Sequence, residues 1–303
     1  MSRSAAVSLA ENSSIKSMLL RRGPNGPVAR RYTAGEHLHE ALQVVKDFKE
    51  RNLLSTLEFL PDDLVSAGDI DGVVVNYSEI LKGVATFYPE TCISVRLSAL
   101  GLVSDPNQAR ANLIKLLDDA TSRGGLFVRV AMEGSQFTQE TIKMVSDLHE
   151  VYPNIGVTLQ ANLRRTDRDI ADVIGAGVSV RLVKGGYDES PAVAFTKPDQ
   201  IKAAYRRQMF ELLESGVSHS IATHDLDLIN SAKLYAKQKN VPKGNFAFEM
   251  FKGVRPDTQL ALVKEGYAVR VFVPYGAAWY PYVLLRLGEN PGGVGFLLGN
   301  LMG

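Results

Sequence analysis

The sequence predicts an α/β fold, a (β/α)₈ TIM-like barrel, on three observations. Eight short apolar runs recur along the chain. The segments that follow them are charged and carry helical periodicity, as parallel β/α units require. No Gly-x-Gly-x-x-Gly follows the first runs, which disfavours the alternative, a doubly wound open sheet.

The first 30 residues, ending in RRGPNGPVARR, are polar, basic and punctuated by Gly and Pro, and read as a loosely ordered arm. Residues 35–52, GEHLHEALQVVKDFKERN, space Leu38, Ala41, Leu42, Val45 and Phe48 along one helical face. Strands are predicted at 56–60, 92–97, 126–132, 156–160, 178–183, 218–223, 245–250 and 268–273. Helices are predicted between them, for example over 105–124, 138–153, 198–216 and 226–240. Their starts carry Asp, Thr or Pro and their ends Gly or Asn, as capping prefers. A sheet covered on both faces should show continuous rather than alternating hydrophobicity. The expected division is an N-terminal arm with helices over 1–54 and a barrel with a C-terminal lid helix over 55–303.

Composition narrows the function. Thirty-four Lys+Arg against 33 Asp+Glu leave a net charge of +1 with no basic stripe, which argues against nucleic-acid binding. Cys92 is the single cysteine, so an intramolecular disulfide and a multi-cysteine metal site are excluded. Within CISVRL it reads as an inert buried thiol. The N-terminus lacks the apolar core and cleavage site of a secretory signal. No apolar run approaches the roughly 20 residues of a membrane span. The expectation is a cytoplasmic protein, with peripheral attachment to the inner membrane compatible with it.

Barrel chemistry sits at the C-terminal ends of strands. Those ends carry Arg96, Glu133, Gln160, Arg181, Lys184, Thr223, His224, Asp225 and Glu249, which favours a polar, anionic ligand. Each has a duller alternative. Glu133 and Glu249 can pair with neighbouring cations, and His224 can be a satisfied polar residue. With no histidine at i+4 and no nearby cysteine, His224 does not suggest zinc. Lys184 could form a Schiff base in a lyase or aldolase, although Gly185 and Gly186 open space for a bulky flat ligand. The segment RVFVPYGAAWYPYVLLRLGENP suggests a lid helix bearing Trp279, Tyr280, Tyr282, Arg286 and Glu289. There Arg286 either pairs weakly with Glu289 or points at an anion in the barrel mouth.

Six blocks carry a resemblance: SVRLSALG (94–101), VTLQANLRR (157–165), VRLVKGGYDE (180–189), ATHD (222–225), FAFEMFKGVR (246–255) and VPYGAAWYPYVLLRLGE (273–289). In order and spacing the chain resembles bacterial single-function proline dehydrogenases over residues 56–291. The resemblance implies a distorted (β/α)₈ barrel with extra N-terminal helices and noncovalently bound FAD. It implies hydride transfer from the ring carbon beside nitrogen to flavin N5, giving Δ1-pyrroline-5-carboxylate, with a membrane quinone taking the electrons. Carried over by position, it implies flavin contacts at Met132, Gln160, Arg181, Lys184, Gly185, Gly186, Thr223 and His224. Arg181 is then the catalytic residue, beside N5 and N1/C2. Arg96, Tyr187, Phe272, Tyr282, Leu285 and Arg286 would surround the substrate.

This sequence departs from the family at Arg96 (family Lys), Ala131 (Asp), Gly186 (Ala), Phe272 (Tyr) and Leu285 (Arg). These departures fall in the ligand cavity. The expectation is therefore a flavin-dependent dehydrogenase of L-proline or a related small amine whose substrate need not be free L-proline. A modified or decarboxylated cyclic amine, or another small nitrogen compound oxidised to an imine or hydrazone, are the candidates. A catalytically retired barrel is the remaining alternative.

Overall fold

The computed structural model describes residues 13–61 and 67–289. Three helices precede the barrel: α1 (Ser13–Arg22), α2 (Pro27–Tyr32) and α3 (Leu38–Lys49). The strands are β1 (Leu54–Phe59), β2 (Cys92–Val95), β3 (Val128–Val130), β4 (Ile155–Gln160), β5 (Ser179–Val183), β6 (His219–Ala222), β7 (Phe246–Phe251) and β8 (Ala268–Tyr275). They close in chain order into a parallel barrel, and the β8–β1 register from Arg270 against Leu54 to Tyr275 against Phe59 seals it.

Between the strands run α4 (Ala67–Ala85), α5 (Pro106–Ser122), α6 (Thr138–His149), α7 (Thr166–Gly175), α8 (Pro198–Glu214), α9 (Leu226–Gln238) and α10 (Pro256–Lys264). The lid helix α11 (Trp279–Glu289) follows β8. Helix starts obey capping chemistry. Asp105 accepts from the Asn107 N–H and Asp225 from the Asp227 and Leu228 N–H groups, and Pro opens α5, α8 and α10.

The predicted continuous hydrophobicity is corrected. Ile93, Val95, Val128, Val130, Val157, Leu159, Val180, Leu182, Phe248 and Met250 belong to the apolar core between sheet and helices. The residues alternating with them are Thr56, Glu58, Ser94, Arg129, Thr158, Gln160, Arg181 and Glu249, all buried and polar. Their bonds join strands that are not neighbours: Thr56 on β1 to Glu249 on β7, and Arg181 on β5 to Ser94 on β2. Such bonds must cross the barrel interior. Side chains alternate between faces along a strand, so the helix-facing side is apolar while the lumen is a hydrogen-bonded ionic layer.

The arm reading also changes. Residues 1–12 lie outside the described residues, but α1 and α2 are helical. Ile15, Leu19, Val28, Ala29 and Tyr32 pack with Trp279, Val283, Leu284 and Leu287 of α11 in a cluster separate from the main core. These N-terminal helices lack apolar residues for a core of their own, and α11 supplies the other half. Further contacts tie the same segment to the barrel top. Trp279 Nε1 donates to Glu36 Oε1 at 2.9 Å, and half-buried Lys252 donates to the Arg30 carbonyl.

Candidate active site inside and above the carboxyl-terminal rim

One chain of polar side chains threads the lumen. Glu249 Oε1 accepts from Thr56 Oγ1 at 2.9 Å and from Arg181 Nη1 at 3.1 Å. Arg181 also donates from Nε to Thr158 Oγ1 at 3.0 Å and from Nη2 to Ser94 Oγ at 3.1 Å. Ser94 donates onward to Glu58 Oε2 at 2.8 Å, and Glu58 Oε1 receives Arg96 Nε at 2.9 Å and Nη2 at 2.5 Å. Burying charge without a partner is costly, and here Arg181 meets the carboxylate of Glu249 and Arg96 that of Glu58. Burial pushes the Glu249 carboxyl up, but Arg181, then Arg270 and Arg129, outweigh it and hold it below the usual carboxylate range. Glu58 in turn raises the Arg96 guanidinium above its ordinary value. Arg181 lies 5.3 Å from the centre of the Phe272 ring, so an aromatic ring packs against one face of the guanidinium.

Arg181 and Glu249 sit in mid-strand, not at strand ends as the sequence reading had them. They face the lumen one layer below the rim. Glu133 is corrected too: among the described residues no cation pairs with it. Its carboxylate takes the Ser98 N–H at 2.9 Å and the Ser98 hydroxyl at 2.5 Å, stapling the loop after β2 to the loop after β3. Glu189 repeats the device on Ser135, N–H at 2.7 Å and hydroxyl at 2.5 Å, joining the loops after β3 and β5.

At the rim, Gln160 Nε2 donates to the Glu133 carbonyl at 3.0 Å. Met132 is buried in the apolar core cluster, and Ala131 is buried beside it. Lys184, 44% exposed at its side chain, pairs with Asp225 at 3.4 Å. Asp225 serves as the N-cap of α9 and also holds Lys202. Gly185 has φ +103° and stands against Asn162, whose Oδ1 is where a Cβ would project, 2.0 Å away. Gly186 faces open space, with nothing within 4 Å of a would-be Cβ. Asn162 Oδ1 is buried without a hydrogen-bond partner among the described residues.

Thr223 is buried and its Oγ1 accepts the Asp225 N–H at 3.1 Å. His224 Nε2 accepts the Phe251 N–H at 2.9 Å, and the two rings stack at 5.3 Å. Burial first, then Arg286, Arg255 and Lys184, push the imidazole down to about 4, so it is neutral at physiological pH.

Above the rim, Arg286 is buried on α11 with its guanidinium carbon 4.1 Å from the Phe251 ring centre and 5.4 Å from that of Tyr282. Leu285 is half-buried. Phe272 meets Phe251 edge-on at 5.5 Å. Tyr187 is exposed at the mouth and interacts electrostatically with Arg96. The Glu289 side chain, expected as the alternative partner of Arg286, lies outside the described residues. Trp279 and Tyr280, also expected over the rim, pack edge-on at 5.8 Å, and Trp279 anchors α11 to the N-terminal segment instead.

The expected residues of β2, β5, β7, β8 and α11 therefore converge on the lumen and its mouth. The sequence reading missed Glu58, Thr56, Ser94, Thr158, Asn162 and Phe251. The available signal was parity: Ser94, Thr158 and Phe251 share the two-residue phase of Arg96, Gln160 and Glu249, and Thr56 and Glu58 share one phase on β1.

The profile of the proline dehydrogenase family matches residues 41–298. Proline dehydrogenase 2 of Bacillus subtilis subsp. natto is 32% identical over 271 residues, covering 88% of each chain. Proline dehydrogenase of Deinococcus radiodurans is 27% identical over 305 residues, 99% of this chain and 97% of that protein. In fold, the chain is similar to proline utilization A of Bdellovibrio bacteriovorus, with a TM-score of 0.81 at 20% identity. That match covers 95% of this chain and 34% of the other, so this chain spans about a third of that protein. The barrel closed in chain order, the converging lumen residues and the length of the match agree: the chain belongs to the proline dehydrogenase family.

Proposed function

We propose that this protein is an FAD-dependent dehydrogenase that oxidises L-proline, or a closely related small amine, at the carbon beside nitrogen. In this reading the catalytic unit is the barrel with its lid, residues 55–303, preceded by an N-terminal segment over 1–54 whose described helices brace it. The observation that carries it is the mounting of Arg181. Nε, Nη1 and Nη2 each give one hydrogen bond to a different strand, so the guanidinium is rigid, while Nη1 and Nη2 each keep a second N–H. A fixed cation with spare donors stabilises negative charge on an electron-rich ring without reorganising when the charge arrives.

The residues present fit a flavin. The open face at Gly186, the partnerless acceptor Asn162 Oδ1 and the cation of Lys184 stand at one corner of the rim. Gly185, Gly186 and Lys184 would border the diphosphate, Gln160, Met132, Thr223 and His224 would line the ring system, and Arg181 would face its N5–N1 side. When bound, the flavin supplies the hydride acceptor. Neutral His224 keeps its place by accepting the Phe251 N–H. Phe272, Tyr282 and Tyr187 would wall the substrate ring and exclude water, and Arg286 and Arg96 would take its acid group, with no cation from Leu285. The electrons would leave to a quinone. No described helix is long and apolar enough to cross a membrane, and peripheral attachment to the inner membrane is consistent with a quinone acceptor.

A Schiff-base role for Lys184 has no support. Its ammonium is solvent-exposed and ion-paired, whereas an activated lysine needs desolvation or a cationic neighbour.

The test is anaerobic mixing of purified protein with a panel of cyclic and acyclic amines that includes L-proline. A yellow protein whose flavin bleaches with L-proline or a cyclic amine supports the proposal. A folded protein that takes up no FAD, or whose flavin no amine reduces, overturns it.

A further inference from the structure

One carboxylate serves both Arg96 and Arg181. Glu58 holds Arg96 through Oε1 and, through Oε2 and Ser94, reaches Arg181. The pairing with Arg96 uses Nε and Nη2, one edge of the planar guanidinium. The adjoining edge, Nη1 with the second Nη2 hydrogen, has no hydrogen-bond partner among the described residues. Glu58 is 4% exposed at its side chain and Arg96 is 38% exposed, so the anchored edge is inside and the open edge is what solvent or a ligand meets.

Charge bookkeeping shows why the orientation of that edge matters. Glu249 offsets Arg181, Glu58 offsets Arg96, and Asp225 offsets Lys184. Recognition of an anion at Arg96 therefore cannot rest on a large local field. It must rest on geometry, and a planar fork fits the two oxygens of a carboxylate where a rotating ammonium does not. Arg96 follows β2, across the barrel from the cofactor residues on β4–β6, which separates it from the flavin's phosphates.

We propose that Glu58 is a positioning residue: it clamps one edge of Arg96 so that the other grips the substrate's carboxylate, and thereby sets the preference for an acidic ring over a neutral one. This rests on the dehydrogenase reading above and deepens it. The probes are tetrahydrofuran-2-carboxylate, in which oxygen replaces the ring nitrogen so that no oxidation follows, and the uncharged tetrahydrofurfuryl alcohol. Both are titrated into flavin-loaded protein by calorimetry, and the readout is the ratio of their affinities. Glu58→Gln should collapse the preference for the carboxylate by about 10- to 100-fold, the equivalent of one charge-assisted hydrogen bond. Glu58→Asp, which keeps the charge but shortens its reach, should give an intermediate loss and serves if the Gln variant does not fold. A merely structural role would weaken both probes alike and leave the ratio unchanged, which overturns the proposal. So does an unsubstituted protein that shows no preference. Flavin uptake and reduction by amines, measured separately, report on the dehydrogenase reading and not on Glu58.

Discussion

Arg286 of the lid rests its guanidinium 4.1 Å above the ring of Phe251, the last residue of β7. A cation over an aromatic face is worth about 0.5–2 kcal/mol, so the residue that would grip an acid group also docks the lid. Replacing Arg286 by Met keeps much of the packing and removes both charge effects. The expected outcome is a rise in KM for L-proline of about 10- to 100-fold, with thermal stability reduced by less than a core substitution would cost. Steady-state kinetics and thermal unfolding of the same variant separate the two effects.

The Arg181–Glu249 pair lies in a layer where neither partner reaches water; their side chains are 6% and 4% exposed. Removing one member leaves the other charge buried alone, which costs about 3–5 kcal/mol. Arg181→Met should therefore lower stability by about that amount and also lose flavin reduction. Glu249→Gln should destabilise less, because an amide oxygen still accepts from Thr56 and Arg181. Urea unfolding of both single variants and the double variant measures this; additive losses would contradict a coupled pair.

The barrel was legible because its helix-facing residues are apolar at regular intervals, and all eight predicted strands overlap observed ones. The polar lumen was not, because Glu58 is a single charge inside an apolar run and its partner Arg96 follows another strand, 38 residues later. Sequence reading could list Arg181 and Glu249 but not pair them across 68 positions. The α1–α2 brace escaped for the same reason. Ile15 and Leu19 share their apolar cluster with Val283 and Leu287, at the other end of the sequence. Where a residue's reason for being is a distant contact, local periodicity carries no trace of it.

The adjacent glycines at 185 and 186 should respond oppositely to alanine. At Gly185 the backbone is in the left-handed region, φ +103°, and a Cβ would overlap Asn162 Oδ1. Gly185→Ala should cost at least about 1 kcal/mol and disturb Asn162, with lower flavin content in the purified protein. At Gly186 a Cβ meets nothing within 4 Å, so Ala, the residue expected from the family, enters without strain. Gly186→Ala should leave stability unchanged or raise it by about 0.4–1 kcal/mol through the unfolded chain. Thermal unfolding of the two variants side by side checks the contrast.

Acid should weaken the fold through two buried histidines before most carboxylates titrate. His224 is pushed down to about 4 by burial, then by Arg286, Arg255 and Lys184; His219 is pushed down to about 3 by burial, then by Arg129. Each ring accepts a backbone N–H, His224 from Phe251 at 2.9 Å and His219 from Val180 at 2.9 Å, and a protonated nitrogen cannot accept. The unfolded chain binds a proton on each near pH 6.5 while the folded chain refuses it. Stability is therefore flat with respect to these groups above that pH and declines as pH falls from about 6.5 toward about 4, by up to about 1.4 kcal/mol per unit for each histidine. For His224 the consequence is also local: a protonated ring would place a cation beside Arg286 and release the end of β7 on which the lid rests. His224→Gln supplies an amide oxygen that accepts the same N–H and does not titrate. Urea unfolding at about pH 7.5 and about pH 5 should show a smaller pH-dependent loss in this variant than in the unsubstituted protein. An equal loss in both would mean that His224 already carries a proton in the folded state, and the neutral imidazole beside Arg286 would have to be given up.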